Sequence, residues 1–435
     1  MNSMEVASSK RITLQEFISY ITKNKECLAI LNYYSILIKD DLRLNFGHNE
    51  ELPDCDSDLE NEVKEKQYEL NTTIANRKET EEPDASLELE FIYGYRCEDV
   101  RNNIRYTRKG NIVYHTASIG VVLNVTKTKQ KHFKEHGAVI SCLAIHPELV
   151  YAATSEISLE PFICIWDTST LECLARISGV LKKGVTHLAF SGDGKYIAAI
   201  GADSYHSLAI YNWKTNTLVG CTQVSRSPVL SLTFNPSNTV IATTGIKSLN
   251  FITIKNGLLK VNKTISWGAS LPKTLLCGAY LDNAFVTGSF SGELLVWKEE
   301  ALASTYLAHK GLVNAIWVRD NKKGLITGGN DGIVILWDTL LRKESIINIV
   351  DNKVLNCLLP KIRSVCESLD GSVVIGVRSG EIIEYREGKF DLLRSHFKNK
   401  LYGLAVHPKL PEFVTFGQDG IFAHWDIPSR KQKQV

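Results

Sequence analysis

The residues of this sequence that could do chemistry occur singly, without the partners that catalysis requires. The segment 288–292, Gly-Ser-Phe-Ser-Gly, resembles a nucleophile elbow in its glycines, but Phe290 occupies the position of the attacking serine. The sequence contains no glycine-rich phosphate loop ending in Lys-Ser/Thr and no His-Glu-x-x-His metal motif. We therefore predict that the protein is not an enzyme and that it holds no cofactor or metal ion.

Clustered positive charges are the feature best suited to binding a partner. The densest cluster lies between residues 127 and 134, and two arginines precede it. The candidate partner-binding residues are Arg101, Arg105, Lys127, Lys129, Lys131, His132 and Lys134. Clustered cations attract an acidic surface over a long range, and salt weakens that attraction. The alternative is that the lysines keep an exposed strand edge from aggregating. Arg430, Lys431 and Lys433 form a smaller group near the C-terminus, for which we favour solvation over binding.

Composition and charge narrow the class of protein. The 435 residues are 44% hydrophobic and 23% charged, which is ordinary for a globular protein. The net charge is only +2, and aromatic residues do not interleave with the cationic cluster, so we expect no nucleic-acid partner. No apolar run has membrane-spanning length and no stretch reads as a signal peptide, which predicts a cytoplasmic protein without a membrane partner. The ten cysteines lie singly, which favours reduced thiols over disulfides.

Residues 1–47 are predicted to form a helical segment that resembles the second half of an EF-hand. Apolar residues recur on one face between residues 12 and 46, and Gly47 is a plausible helix end. Glu16 would be the twelfth, bidentate ligand, but Lys10 then stands at the sixth position, where the loop needs glycine. Because this half-loop offers too few oxygen ligands, we predict that it does not bind calcium.

Residues 48–87 are predicted to be an acidic, disordered linker. Between residues 50 and 84 there are thirteen Asp/Glu against four Lys/Arg, a local net charge of −9. Because the whole chain carries +2, the remaining residues carry about +11. The linker either keeps the protein soluble or competes with a partner for a basic surface elsewhere in the chain.

The rest of the chain repeats one pattern of strands. In the clearest copy, residues 328–338, a tight Asn-Asp-Gly turn joins two hydrophobic strands and the second ends on Trp-Asp. The aromatic residue or its substitute recurs at positions 166, 211, 254, 297, 337, 385 and 425. A period near forty residues with Trp-Asp at strand ends is the signature of WD40 repeats, each a four-stranded propeller blade. We predict an all-β WD40 β-propeller of seven blades over residues 131–435.

Several polar and aromatic residues of the repeats are predicted to brace the blades rather than to bind a ligand. Histidines at blade starts and aspartates in the turns between second and third strands should hydrogen-bond within their blade. The tryptophans should pack in the core. These residues are His136, His309, Asp331, Asp419, Trp166, Trp337 and Trp425.

A more specific stretch precedes the repeats, at residues 88–130. It contains Tyr-Gly-Tyr-Arg at 93–96, Arg-Asn-Asn at 101–103 and Gly-Val-Val-x-Asn at 120–124, followed by His-Gly at 136–137 and Ile-His-Pro at 145–147. This stretch resembles the HELP motif of the echinoderm microtubule-associated protein-like (EMAP-like) family. The resemblance covers roughly residues 88–430, and the HELP stretch is its specific part, because WD repeats alone occur in many unrelated proteins.

The resemblance implies a non-enzymatic microtubule-associated protein. Its partners would be tubulin or an axonemal or other cytoskeletal protein, and its location the cytoplasm and cytoskeleton, with the cilium or axoneme as a candidate. Relatives carry two propellers in tandem, and some have a coiled coil before the HELP motif, whereas this chain has one propeller and no heptad pattern. The alternative is a general WD40 scaffold that binds a protein without touching microtubules. The oligomeric state stays open.

The repeats leave the HELP strands without an obvious place. If residues 131–427 form seven blades, the segment 131–133 can supply the missing outer strand of the last unit, and ring closure then removes an exposed sheet edge. The strands of 88–125 would form an eighth blade, pack on the flank of the propeller, or lack their usual partner surface. We expect flank packing with partial exposure of Phe91, Ile92 and Tyr93.

Overall fold

The computed structural model describes residues 88–126, 128–255, 257–262, 274–319, 323–350, 360–394, 401–417, 420 and 422–434. Every regular element in these ranges is a β-strand, and no helix there is long and apolar enough to cross a membrane. The helical segment predicted for residues 1–47 and the acidic linker predicted for residues 48–87 lie outside the described residues.

The strands form eight antiparallel sheets of four consecutive strands each, of which the first seven are numbered as blades in chain order. Blade 1 contains β1 (Arg105–Tyr106), β2 (Ile112–Thr116), β3 (Ile119–Asn124) and β4 (Lys129–Phe133). Blade 2 contains β5 (Ile140–Ile145), β6 (Tyr151–Glu156), β7 (Ile163–Asp167) and β8 (Cys173–Ile177). Blade 3 contains β9 (Val185–Phe190), β10 (Tyr196–Gly201), β11 (Leu208–Asn212) and β12 (Thr217–Thr222). Blade 4 contains β13 (Val229–Phe234), β14 (Val240–Gly245), β15 (Ser248–Lys255) and β16 (Leu258–Val261).

The second half of the chain continues the series. Blade 5 contains β17 (Leu275–Leu281), β18 (Ala284–Ser289), β19 (Glu293–Lys298) and β20 (Ala301–Leu307). Blade 6 contains β21 (Val313–Val318), β22 (Leu325–Gly329), β23 (Ile333–Trp337) and β24 (Lys343–Asn348). Blade 7 contains β25 (Ile362–Glu367), β26 (Val373–Val377), β27 (Ile382–Arg386) and β28 (Lys389–Arg394). The eighth sheet contains β29 (Leu401–Val406), β30 (Glu412–Gly417), β31 (Phe422–Asp426) and β32 (Lys431–Gln434).

Seven buried apolar clusters lie between neighbouring sheets and close a ring. One cluster joins each pair of consecutive blades from blade 1 to blade 7. The seventh joins blade 7 back to blade 1. Each blade is therefore covered by apolar side chains on both faces. This agrees with the sequences of the strands, in which few polar residues separate the apolar ones. The predicted seven-bladed propeller is confirmed, but its seven blades are not the seven that the repeats suggested.

The HELP strands form blade 1 of the ring, so the expected packing on its flank is wrong. Tyr114 on β2 faces the cluster shared with blade 7, whereas its neighbour Val113 faces the cluster shared with blade 2. Backbone hydrogen bonds add to the apolar contacts on both sides. The amide of Asn102 donates to the carbonyl of Arg363 in blade 7 over 3.1 Å, and the amide of Ile140 in blade 2 donates to the carbonyl of Ala117 over 2.8 Å.

The expected ring closure through residues 131–133 is also wrong. These residues belong to β4, which pairs with β3, with Phe133 opposite Gly120. The eighth sheet instead has a fourth strand of its own, since β32 pairs with β31. The sequence could not separate the two arrangements, because the HELP stretch and the last repeat each carry enough apolar strands for one complete sheet.

The eighth sheet lies outside the ring and is covered only in part. The ring of Tyr93 packs edge-on against Trp425 at 5.1 Å and against Phe413 at 5.5 Å. Its first strand is open to solvent, with Leu404 66% and Val406 63% exposed. Phe91, Ile92 and Tyr93 are half-buried, so their expected partial exposure is confirmed, but the more exposed apolar surface belongs to the eighth sheet, which Tyr93 contacts.

A matched pair of substitutions tests this placement. Val365 and Leu404 are the fourth residues of the first strands of their sheets, but Val365 is fully buried. We expect Val365→Ala to lower the free energy of unfolding by about 2 kcal/mol, because it removes buried methyl groups and leaves a cavity. Leu404→Ala should change it by less than about 0.5 kcal/mol. Urea unfolding of both variants would check this, and equal losses would place the eighth sheet inside the ring.

Candidate functional site

A hydrogen-bonded chain of polar side chains braces blade 6. The ring of His309 lies with Nδ1 3.1 Å from Asp331 Oδ1 and with Nε2 2.9 Å from Thr327 Oγ1. Trp337 Nε1 donates to the same hydroxyl over 2.9 Å. The histidine helps to hold the pKa of the Asp331 carboxyl below its usual range, although burial acts against it. All four side chains have their partners within the blade, so this group is a brace and leaves no free group for a ligand.

Blade 2 has the same arrangement with one change. His136 Nε2 lies 2.8 Å from Thr154 Oγ1, to which Trp166 Nε1 also donates over 3.1 Å. Its other nitrogen lies 3.2 Å from Glu156 Oε2, where blade 6 has an aspartate in the following turn. Burial lowers the pKa of His136 despite the carboxylate beside it. Sequence reasoning missed both threonines and Glu156, although a threonine on the strand before each Trp-Asp pair was a readable signal.

The eighth sheet keeps one bond of the same kind. Trp425 Nε1 donates to Thr415 Oγ1 over 2.8 Å, so the sheet is built like a blade even though it stands outside the ring. Asp419, a predicted bracing residue, lies outside the described residues.

The predicted lysine cluster lies on the outermost strand of blade 1. Lys129, Lys131 and Lys134 are exposed and His132 is half-buried, while Lys127 lies outside the described residues. Lys131 Nζ donates to the carbonyl of Ser169 over 2.6 Å. Burial and the charge of Lys134 lower the pKa of His132, so the cationic character of this edge comes from the lysines. The edge can offer positive charge to a partner from outside the ring.

Arg101 and Arg105 do not join this cluster. They lie in and just before β1, the first strand of blade 1, whereas the lysines lie on its fourth strand. Three strand spacings of roughly 4.8 Å put about 14 Å between the two groups. The guanidinium of Arg105 lies over the ring of Trp317 at 4.9 Å, and burial lowers the pKa of both arginines. The sequence cluster is therefore two separate groups, one on the outer edge and one facing the inside of the ring.

Two basic residues near the C-terminus pair with acidic neighbours, and the side chain of Lys431 lies outside the described residues. Arg430 forms an ion pair with Glu90. Lys433 forms one with Glu412 and another with Asp426, 3.2 Å from its Oδ1. These exposed contacts lie within the eighth sheet and between it and the segment before blade 1, and solvation of this group rather than binding stays a prediction.

The cysteines of the described residues are free thiols. Five of them are buried: Cys97, Cys142, Cys164, Cys277 and Cys366. Burial raises the pKa of Cys97, Cys142 and Cys277 to about 12, so these thiols stay protonated at neutral pH. In the same part of the chain, no group of three or more His, Cys, Asp or Glu side chains is placed to hold a metal ion.

Family models and known proteins match most of this chain. Residues 129–385 match the model of the echinoderm microtubule-associated protein first beta-propeller, and residues 82–121 match the HELP motif. The human protein echinoderm microtubule-associated protein-like 2 is 30% identical over 380 residues, which cover 83% of this chain and 58% of that protein. The sea urchin 77 kDa echinoderm microtubule-associated protein (Strongylocentrotus purpuratus) is 28% identical over 364 residues, covering 80% of this chain and 52% of that protein. The chain thus spans about half the length of the relatives it matches.

A solved structure shares the fold. One chain of a crystal structure of a mitotic checkpoint complex superposes with a TM-score of 0.55 at 13% identity, covering 71% of this chain and 97% of that one. This likeness concerns the fold alone.

Proposed function

This chain belongs to the echinoderm microtubule-associated protein-like family, and from that premise we propose that it binds tubulin, or a protein carried on microtubules, without catalysing a reaction. Its relatives are named as microtubule-associated proteins, which supports a place on the cytoplasmic cytoskeleton. A cilium or axoneme stays a prediction from the sequence.

The observation that carries this proposal is the row of exposed lysines on blade 1. Lys129 and Lys134 form no ion pair among the described residues, so their charges are free to attract a partner. They lie at the outer edge of blade 1, whose preceding strands carry the HELP match at residues 82–121. Because microtubules present acidic surfaces and tails, complementary charge would steer the propeller onto them.

A second candidate is a WD40 scaffold that binds another protein without touching microtubules. The exposed apolar residues of the eighth sheet favour it, since contiguous apolar surface often marks a protein contact. The two candidates differ in their response to salt. Binding through the lysine edge should weaken steeply as ionic strength rises, whereas binding through an apolar face should not.

Charge reversal of the lysine edge tests the first candidate. We expect the full chain to co-pellet saturably with microtubules at low salt, and Lys129→Glu, Lys131→Glu and Lys134→Glu together to weaken binding at least tenfold. Each exposed ion pair is worth up to about 1 kcal/mol, and reversal turns attraction into repulsion.

The matched control reverses the same number of charges on other blades. Lys255, Lys260 and Lys298 are exposed on blades 4 and 5, and their change to glutamate should leave binding within about twofold. Equal losses in the two variants would mean that only net charge matters. Absence of pelleting by the unaltered chain at low salt would rule out direct microtubule binding.

A further inference from the structure

Three arginines lie close together in the central channel of the propeller. They are at the end of the channel where the first strands of the blades begin. Arg363 is the second residue of β25, Arg378 directly follows β26, and Arg101 lies in the segment that leads into β1. Backbone hydrogen bonds hold the segments together. The amide of Asn102 donates to the carbonyl of Arg363 over 3.1 Å, and the amide of Arg378 donates to the carbonyl of Lys361, beside the start of β25, over 2.8 Å.

The charge of Arg101 acts on residues of three other blades. Burial and then the charge of Arg101 lower the pKa of His187, on the first strand of blade 3, to about 4. The same charge acts on Cys277, on the first strand of blade 5, and on Arg363, in blade 7. A group that acts on blades 3, 5 and 7 together must lie near the axis on which their first strands converge.

Within the part of the chain that the structure describes, no acidic side chain lies in an ion pair with these arginines. The closest acid along the chain, Asp99, accepts a hydrogen bond from Arg96 Nε over 2.9 Å and is already neutralised. The charges of Arg101 and Arg378 instead repel that of Arg363 and, after burial, lower its pKa.

The donors of these arginines are only partly used. Arg363 donates to the carbonyls of Cys97 and Glu98, which fixes its guanidinium on the segment before blade 1. The Nε of Arg378 is buried and has no partner among the described residues. Half-buried cations without acceptors are unfavourable in a folded protein. Such arrangements are retained where a ligand supplies the missing charge, and they are therefore candidates for functional sites.

We propose that Arg101, Arg363 and Arg378 form a binding site for a glutamate-rich acidic peptide at the centre of the ring. Guanidinium groups bind carboxylates through paired hydrogen bonds. Arg101 leads into blade 1, whereas Arg363 and Arg378 belong to blade 7, so successive carboxylates along an extended peptide can reach all three where a single small anion would bridge two at most. This inference rests on the proposed function, because the acidic tails of tubulin have this chemistry.

Fluorescence anisotropy with a labelled decaglutamate peptide and the full chain tests the site. One variant, called the channel variant, carries Arg101→Gln and Arg378→Gln, and the control carries Lys260→Gln and Lys298→Gln on blades 4 and 5, with the same change in charge. We expect the channel variant to bind the peptide at least tenfold more weakly and the control to stay within twofold, because hydrogen bonds to charged groups exceed exposed pairs in strength. Arg363 is left unchanged because it also holds the segment before blade 1.

Two further measurements make the result decisive. Thermal unfolding should show that the channel variant is at least as stable as the unaltered chain, because it removes uncompensated charge, whereas a structural role would lower its midpoint. The site is rejected if both variants bind the peptide equally weakly or if the unaltered chain does not bind it. It is also rejected if inorganic phosphate displaces the peptide at a matched concentration of charge.

Co-pelleting with microtubules is measured in parallel. Pelleting without peptide binding rejects the site alone, and peptide binding without pelleting rejects the proposed function alone.

Discussion

Replacing Thr327 with valine is expected to lower the free energy of unfolding by about 3–5 kcal/mol. The hydroxyl of this buried residue accepts a hydrogen bond from Trp337 Nε1 and contacts His309 Nε2, at 2.9 Å in each case. A carboxylate can only accept, so with a neutral ring Asp331 fixes the proton on Nδ1 of His309 and leaves Nε2 to accept from the threonine. Valine has almost the same shape but would leave His309 Nε2 and Trp337 Nε1 without partners, and each unsatisfied buried group costs about 1–3 kcal/mol.

Thr305 provides the matched control. It lies exposed on β20, the outer strand of blade 5, and a valine there suits a strand as well as threonine does. Thr305→Val should therefore change the free energy of unfolding by less than about 0.5 kcal/mol. Urea unfolding followed by tryptophan fluorescence measures both variants. A small loss at Thr327, similar to that at Thr305, would mean that the brace contributes orientation without stability.

The second large effect is a dependence of stability on pH that passes through His115. This histidine is fully buried in blade 1, and neither ring nitrogen has a hydrogen-bond partner among the described residues. Burial, and next the charge of Arg96, lower its pKa to about 3. In the unfolded chain the pKa of this histidine has its ordinary value near 6.5. Between these two pKa values the unfolded chain therefore binds a proton that the folded chain does not bind. Stability therefore falls as the pH drops below about 6.5, and the loss is complete near pH 3.

His115→Leu should remove this contribution. One pKa unit is worth about 1.36 kcal/mol, so from pH 7.5 to pH 4 the unaltered chain should lose about 3 kcal/mol more than the variant. Comparing the two pH values for each protein cancels the change in packing that the substitution causes. The charged groups that act on His115 are Arg96 and His136, which lower its pKa, and Asp99, which raises it.

The same substitution at an exposed histidine separates the effect of burial from that of losing a titrating group. His407 is exposed in the eighth sheet, and His407→Leu should leave the pH dependence unchanged. Urea unfolding of the unaltered chain and of both variants at pH 7.5 and pH 4 gives the three differences needed. Parallel curves for the unaltered chain and the His115 variant would show that this histidine takes up its proton equally in both states.

The repeat pattern predicted the architecture because the spacing of apolar residues along each strand depends on which side chains are buried. Trp166, Trp337 and Trp425 end strands of the kind expected, and their spacing predicted four-stranded sheets around a ring. The pattern could not say which sheets form the ring, because strands that are apolar on both faces occur in the HELP stretch and in the last repeat alike. The choice depends on which sheet finds neighbours on both sides.

For the candidate sites, too, the sequence predicted one part and the tertiary structure decided the other. The sequence located the cations of residues 101–134 but joined Arg101 and Arg105 to the lysines, since neighbours along the chain need not share a surface. It missed Arg363 and Arg378 because neither stands in a cluster. Arg363 comes to the segment before blade 1 through a hydrogen bond to the carbonyl of Cys97, 266 residues away.

By itself, then, the sequence determined an all-β propeller of seven blades, the HELP resemblance and the histidines and tryptophans that brace blades 2 and 6, because all of these depend on strand periodicity and short-range spacing. Only the tertiary structure decided that the HELP strands are one of the seven blades, that the last sheet stands outside the ring, and that uncompensated arginines face its centre. The physical reason is that ring closure and charge compensation depend on contacts between residues hundreds of positions apart, and these contacts leave no periodic trace in the sequence.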